Sequence, residues 1–161
     1  MNICLNPMAR ALCQNFFQEY TADPDLCADK RDWKPYVYST AKSDAYFARQ
    51  KRLGRIHLAV MLDEEPIGKV ILKNIDHEVK HCTLSITMKN DRWKNRGYGT
   101  QAEILTLEYA FGKFQMETVY ADAVRTNKRS QYVLQKVGFT ETHQDDTFCY
   151  YRCDRSSWNR P

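Results

Sequence analysis

The stretch "NRGYGTQAE", residues 95–103, decides the fold of this chain. Its glycines, Gly97 and Gly99, open the segment 99–114, which is apolar over most of a helical circumference and therefore predicts a buried helix. Glycines at a helix start let backbone N–H groups approach an anion, and the helix dipole also favours negative charge there. Three basic residues precede the glycines: Arg92, Lys94 and Arg96. The stretch therefore predicts a loop that binds a pyrophosphate.

Two other types of glycine-rich phosphate-binding loop are alternatives for this stretch. A kinase-type loop ends in Gly-Lys-Ser/Thr, whereas Thr100 and Gln101 follow Gly99 here, so that type is excluded. A dinucleotide fingerprint fits Gly97, Gly99 and Ala102, with Asp122 about twenty residues later as the ribose-binding acid. That fingerprint normally follows a strand directly, but the eight residues "KNDRWKNR" intervene here. A nicotinamide-dependent oxidoreductase is therefore kept only as an alternative.

The segments around the loop predict a mixed α/β fold. Strands are predicted at 55–62 and 66–75, joined by a short turn and therefore antiparallel, and at 82–88, where apolar residues alternate with Thr83, Ser85 and Thr87. Because a helix separates strand 82–88 from strand 117–124, those two are expected to be parallel. The other predicted elements are a strand at 2–5, a helix at 8–20, a helix beginning near Ser43, a short helix from about 127 to Gly138, and a final hairpin turning at Asp145 and Asp146.

The bulk properties exclude several classes of protein. The 161 residues predict a single domain, 1–161, and a net charge of +4 without a basic run argues against nucleic-acid binding. The absence of a long apolar segment argues against a membrane span, and no leader is evident, so we expect a cytoplasmic protein with six reduced cysteines. No metal site is expected, because His77 and His81 lie in a predicted turn. Both a monomer and a homodimer remain open.

Two motifs resemble a known family. "KNRGYGT" (94–100) resembles the Arg/Gln-x-x-Gly-x-Gly/Ala acyl-CoA loop of the GNAT N-acetyltransferases, with Lys94 in the first position. "NKRSQYVLQKVGF" (127–139) resembles the second hallmark of the ribosomal-protein N-terminal (RimJ/RimL-type) branch, Asn-x-x-Ser followed by Lys-x-Gly-Phe. The resemblance implies a three-layer α/β/α sandwich whose mixed, mostly antiparallel sheet contains a splayed parallel pair at the acyl-CoA site.

The same resemblance implies acetyl-CoA as co-substrate and a primary amine as acceptor, with direct attack of the amine on the thioester. Ser130 is then the candidate general acid, because the position where many relatives carry a tyrosine is Leu134 here. The residues that the resemblance places at the cofactor are Ile86, Thr87, Met88, Lys94, Arg96, Gly97, Tyr98, Gly99, Thr100, Asn127 and Ser130.

The general base is not defined by the sequence. Relatives often carry a glutamate near the position that Thr83 occupies here. Glu103 and Asp122 are weak candidates for the base, and Asp76 and Glu78 are further carboxylates that stay open. A lysine amine costs about 4–5 kcal/mol to deprotonate at pH 7, whereas an α-amine costs only about 1–1.4 kcal/mol. We therefore expect a preference for α-amines or other weakly basic amines over lysine, so the acceptor is a protein or peptide N-terminus or a small-molecule amine. A non-catalytic CoA-binding protein also remains open.

Overall fold

A seven-stranded mixed sheet forms the centre of the protein. The computed structural model describes residues 2–161, so the Met1 of the predicted domain lies outside the described residues. The strands are β1 (Ile3–Pro7), β2 (Ile56–Leu62), β3 (Glu65–Asp76), β4 (His81–Met88), β5 (Thr118–Val124), β6 (Thr140–Gln144) and β7 (Phe148–Asp154). They are ordered β1-β2-β3-β4-β5-β7-β6. All neighbouring pairs are antiparallel except β4 and β5, as the sequence predicted.

Helices cover both faces of this sheet. The helices are α1 (Arg10–Gln18), α2 (Thr40–Arg52), α3 (Tyr98–Glu108) and α4 (Lys128–Val137). Helices α1 and α2 pack on one face around a cluster that includes Phe16, Phe17 and Met61, and α3 and α4 pack on the other around Leu107, Val119 and Leu134. Alternation along β2 divides its side chains between these two layers. The three-layer α/β/α architecture is therefore confirmed, and no helix within residues 2–161 combines the length and apolar character needed to cross a membrane.

The parallel strands β4 and β5 are splayed. Their pairing comprises His81 with Thr118, Cys82 with Val119 and Thr83 with Tyr120, and among the described residues no pair follows. Beyond that point β4 remains paired with β3, up to Met88 opposite Gly68, and β5 remains paired with β7, up to Val124 opposite Phe148. The facing edges of β4 and β5 therefore leave a gap in the middle of the sheet.

Some element boundaries differ from the predicted ones. Helix α2 begins at Thr40, earlier than Ser43, because the side chain of Ser39 accepts a hydrogen bond from the Lys42 N–H and caps the helix. The predicted helix 99–114 is α-helical only to Glu108 and continues as a π-helical turn, Tyr109–Lys113. The N–H of Phe114 bonds to the carbonyl of Tyr109 in this turn, so one extra residue is inserted.

Candidate active site

The glycine loop forms the start of α3 and borders open space. Gly97 is the N-cap of α3 and has a left-handed φ of 81°, a conformation that a residue with a Cβ rarely adopts. A Cβ added at Gly97 or at Gly99 would meet no atom within 4 Å. Both glycines therefore border open space at the start of α3, where backbone N–H groups have no partner within the helix, and the binding of a pyrophosphate there stays a prediction.

Two cavities flank the gap between β4 and β5. The first, of about 140 Å³, lies against the glycine loop and the start of α4. The second, of about 210 Å³, lies between the splayed strands and includes Lys73, Ser85, Asp122 and Phe148 in its lining. Six residues line both cavities: Leu26, Ile86, Thr87, Glu103, Asn127 and Ser130. A ligand in the first cavity and a ligand in the second would therefore meet at this shared wall.

Most of the predicted site residues line these cavities. The first cavity contains Ile86, Thr87, Met88, Lys94, Gly97, Gly99, Thr100, Glu103, Asn127 and Ser130, and the second contains Asp122. Arg96 and Tyr98 are not among the residues that line either cavity. Arg96 is exposed, and the ring of Tyr98 is buried in the core, where it packs edge-to-face on Trp93.

The spacing of the three basic residues before the glycines had suggested that all of them lie at one anion site, but in the structure they do not all line the first cavity. Only Lys94 of the three lines the first cavity, because the guanidinium of Arg92 stacks 4.5 Å from the centre of the Trp93 ring and Arg96 is exposed. The second cation at the cavity is Arg129, which comes from the first turn of α4. The two cavities together form the cleft. At its first cavity the cleft therefore has one cation on each side, and the two cations come from separate elements.

A carboxylate from the α1–α2 connection joins these two cations. Asp23 Oδ2 lies 2.7 Å from Lys94 Nζ and 2.8 Å from an Arg129 guanidinium nitrogen, and its side chain is only 8% exposed. Burial by itself raises the pKa of Asp23, but hydrogen bonds from Lys94, the Asp25 N–H and Arg129 outweigh burial and lower it. Asp23 is therefore ionised at neutral pH and neutralises part of the positive charge of the cleft.

Ser130 lies in the first turn of α4 but does not cap it. The side chain of Asn127 accepts a hydrogen bond from the Ser130 N–H at 3.1 Å and is the N-cap of the helix. A serine at a helix start commonly has that capping role. Because Asn127 fills it here, the hydroxyl of Ser130 is not required for capping, and the half-buried residue faces both cavities.

Glu103 differs chemically from the other residues at the shared wall. Its side chain is 2% exposed, and burial raises its pKa to about 8. No atom of residues 2–161 forms a hydrogen bond with its Oε2. Buried polar atoms without partners are costly, so this oxygen marks a place where a bound group would gain a hydrogen bond.

Six residues that line the first cavity were not predicted from the sequence. Three of them, Asp23, Trp93 and Arg129, carry charged or hydrogen-bonding side chains that bear on the site, and the others are Leu26, Asn95 and Val133. Trp93 is 5% exposed, and its Nε1 also lacks a hydrogen-bond partner within residues 2–161. Arg129 lies inside the second motif, between Asn127 and Ser130, so its position was available as a signal. No sequence signal indicated Asp23, because only the tertiary fold brings its segment next to the cleft.

The fold and the split sheet define an acetyltransferase-type domain, and comparison with known proteins gives the family. A family model described as an acetyltransferase (GNAT) domain matches residues 2–140, so the chain belongs to that family. No curated protein sequence matches the chain significantly.

Solved structures share the whole fold at low sequence identity. Spermidine N-acetyltransferase from Vibrio cholerae, solved with CoA and spermine, has 13% identity and a TM-score of 0.78, covering 96% of each chain. AAC(6')-Ib, solved with ribostamycin and CoA, has 14% identity and a TM-score of 0.79, covering 97% of this chain and 95% of its own. At such identities the likeness shows the fold alone, and the RimJ/RimL-type branch stays a prediction.

Proposed function

We propose that this chain is an acetyl-CoA-dependent N-acetyltransferase that transfers the acetyl group to a primary amine by direct attack. The observation that carries the proposal is the gap between β4 and β5, where two cavities meet at Thr87, Glu103, Asn127 and Ser130. Membership of the acetyltransferase family and the CoA-bound structures of similar fold support the same cofactor.

Acetyl-CoA occupies the first cavity in this proposal. The pyrophosphate lies at the N–H groups of α3 between Lys94 and Arg129, where the helix dipole and both cations favour an anion. The pantetheine arm runs along the free edge of β4 at residues 86–88, whose other edge is already paired with β3. Free backbone groups on that edge pair with the arm as a further strand would. The thioester then lies at the shared wall.

The acceptor amine enters through the second cavity. Three charged or titratable side chains line this cavity: the carboxylate Asp122, the cation Lys73 and Glu103, which its raised pKa of about 8 keeps mostly neutral at pH 7. A polycationic acceptor would therefore meet repulsion as well as attraction there. A monoamine such as a peptide α-amine avoids that repulsion at its reacting end. The amines in the two similar structures, spermine and ribostamycin, support amines as the acceptor class.

The reaction needs an oxyanion donor and two proton transfers. The amine attacks the thioester carbonyl, and a donor to the resulting oxyanion is typically worth about 3–4 kcal/mol, a role that backbone N–H groups of β4 can fill. As the tetrahedral intermediate collapses and its C–S bond breaks, Ser130 gives a proton to the departing CoA thiolate and regains one from solvent. Asp122, exposed in the acceptor cavity, accepts the proton that the amine loses, either directly or through water.

The function is tested with the purified chain in two steps. A thermal-shift comparison of acetyl-CoA, CoA, NADH and ATP comes first, because a ligand at about 100 times its Kd adds about 2.7 kcal/mol to stability. Stabilisation by acetyl-CoA is the expected result, and protection by NADH alone would instead support an oxidoreductase.

The second step measures thiol release with a peptide bearing a free α-amine, the same peptide with only a lysine amine free, and spermidine. The α-amine peptide is expected to be the fastest substrate. Faster turnover of the lysine amine or of spermidine would contradict the assigned acceptor class. Binding of acetyl-CoA without turnover of any amine would instead indicate a non-catalytic CoA-binding protein.

A further inference from the structure

The carboxyl group of Glu103 lies where both cavities meet, but no cation is paired with it. Glu103 follows Gly99 by about one helical turn, so its side chain lies on the same face of α3 as the glycine loop. The charged residues around it are Asp23, Lys94 and Arg129 in the first cavity and Lys73 and Asp122 in the second. Within residues 2–161, Lys94 and Arg129 form ion pairs with Asp23, and none of these cations forms one with Glu103.

Burial without a cation keeps this carboxyl group protonated at neutral pH. The pKa of Glu103 is raised to about 8 by burial, so the neutral acid dominates at pH 7. A neutral carboxyl group carries one O–H donor and retains acceptor capacity. A mostly protonated acid is poorly suited to remove a proton from an amine, which argues against the role of base that the sequence left open for Glu103.

The pantetheine arm has the matching chemistry. It contains two secondary amides, each of which offers one carbonyl acceptor and one N–H donor. Between the pyrophosphate and the thioester, the arm would run alongside the residues of the shared wall. Glu103 and Trp93 both line the first cavity, and the Oε2 of Glu103 and the Nε1 of Trp93 are buried polar atoms without hydrogen-bond partners among residues 2–161. Both would gain a partner from an amide-containing arm, and neither needs a charged ligand.

We propose that Glu103 is a positioning residue for the cofactor, which hydrogen-bonds an amide of the pantetheine arm in its neutral form and takes no part in deprotonating the amine. This inference rests on the proposed function, because it requires acyl-CoA in the first cavity. Ionisation of Glu103 removes the donor and places a negative charge beside an anionic cofactor. Affinity for acetyl-CoA should therefore fall when Glu103 ionises.

The test measures acetyl-CoA affinity by calorimetry between about pH 7 and 9.5, without an amine, for the wild type, Glu103→Gln and Glu103→Leu. We expect wild-type affinity to fall over this range and that of Glu103→Gln to stay flat, because the amide retains a donor and an acceptor without a charge. Glu103→Leu should bind about tenfold more weakly at pH 7, the usual value of one hydrogen bond. Thermal unfolding of each variant confirms that it is folded.

Two controls separate the arm from the phosphate site and from the helix. Adenosine 3′,5′-bisphosphate lacks the arm, so the Glu103 variants should bind it as the wild type does. Glu108→Gln changes a carboxylate on the same helix that pairs with Arg160 at 3.2 Å and lies outside both cavities, so it should bind acetyl-CoA normally.

Three outcomes would overturn the inference. Equal affinity of the wild type and Glu103→Leu at every pH would show that the arm does not use this carboxyl group. Normal acetyl-CoA affinity in Glu103→Gln with turnover reduced about 10²-fold or more would make Glu103 the general base instead. A wild type that binds no acetyl-CoA at any pH would refute the proposed function itself, which distinguishes the two failures.

Discussion

The replacement Asp23→Asn tests how the cleft balances its charge. The variant keeps the shape of the side chain but removes the charge that lies 2.7 Å from Lys94 and 2.8 Å from Arg129. Removing one partner of a buried ion pair typically costs about 3–5 kcal/mol. In this variant Lys94 can still pair with Asp91, which lies 2.6 Å away, and the Arg129 side chain is 39% exposed to solvent. The Asp91 carboxylate and the solvent therefore reduce the loss of stability. We expect about 1–3 kcal/mol lower stability, measured by urea unfolding.

The same replacement should strengthen acetyl-CoA binding. Asp23 neutralises the two cations that would face the pyrophosphate, so the cofactor competes with it for Lys94 and Arg129. A variant with one more net positive charge in the cleft should bind acetyl-CoA about tenfold more tightly, or about 1.4 kcal/mol, within the range for charges a few ångströms apart. Calorimetry at low and high salt checks this, because the gain should shrink as salt screens it.

Asp25→Asn is the matched control for this replacement. Asp25 lies in the same short segment, but its carboxylate pairs with Lys30 at the surface, so neither stability nor affinity should change much. Weaker acetyl-CoA binding in Asp23→Asn would refute the competition, because it would mean that Asp23 holds the two cations in place for the cofactor.

Four further predictions address the loop, the acid, the buried carboxyl group and a tight contact. Gly97→Asp should abolish acetyl-CoA binding, because it places a charged side chain at a left-handed φ of 81° beside the first cavity; Gly112→Asp, where a Cβ also meets no atom, should bind normally by calorimetry. Ser130→Ala should lower single-turnover rates and leave acetyl-CoA affinity intact, because Asn127 is the helix cap; equal loss of both would make Ser130 a structural residue. The pKa of Glu103 is raised in the folded state to about 8, so the folded protein binds more protons than the unfolded chain from about pH 4.5 upward and its stability falls as pH rises towards 8. In urea titrations Glu103→Gln should lack this decline, which amounts to at most about 5 kcal/mol, and identical pH profiles would contradict the assigned ionisation. Gly138→Ala should lower stability by about 1–3 kcal/mol, because its Cβ would lie 2.8 Å from Trp158 Cδ1 at a φ of 114°; Gly54→Ala, which has positive φ but open space, should cost less in thermal unfolding.

Local patterns were sufficient to predict the central part of the fold. The alternation along 82–88, the short turn before Pro66 and the helix after the glycine loop each have a local physical cause, so the antiparallel and parallel strand pairings followed from the sequence. The splay of the parallel pair was implied by the family resemblance and not by these local patterns. The start of α2 was predicted too late, because a residue outside the apolar pattern, Ser39, supplies the cap. The π-helical turn at 109–113 was not predicted, because the residues there fit an α-helical pattern equally well.

The charges of the candidate site could not be predicted in the same way. The contact between Asp23 and Arg129 joins residues that are 106 positions apart, and the spacing of apolar residues along the sequence cannot indicate such a contact. Lys94 and Arg96 are equivalent by spacing, but the fold turns one towards the cleft and the other towards solvent. The burial of Glu103 was implied by the apolar character of the helix around it. The pairing of Lys94 and Arg129 with Asp23, and not with Glu103, is a tertiary property that no local pattern indicates.

The charges along the cleft are arranged in the order in which the reaction would need them. The cations Lys94 and Arg129 lie at the end where the pyrophosphate would bind. The neutral acid Glu103 lies in the middle, and the carboxylate of Asp122 lies on the acceptor side. If Glu103 were ionised, its charge would repel both the cofactor's phosphates and the developing oxyanion. A buried acid kept neutral by its surroundings avoids this repulsion and still offers a hydrogen bond. Besides Glu103, Asp122 is the one carboxylate among residues 2–161 that lines the acceptor cavity, and a single exposed carboxylate favours amines that lose their proton easily over lysine side chains.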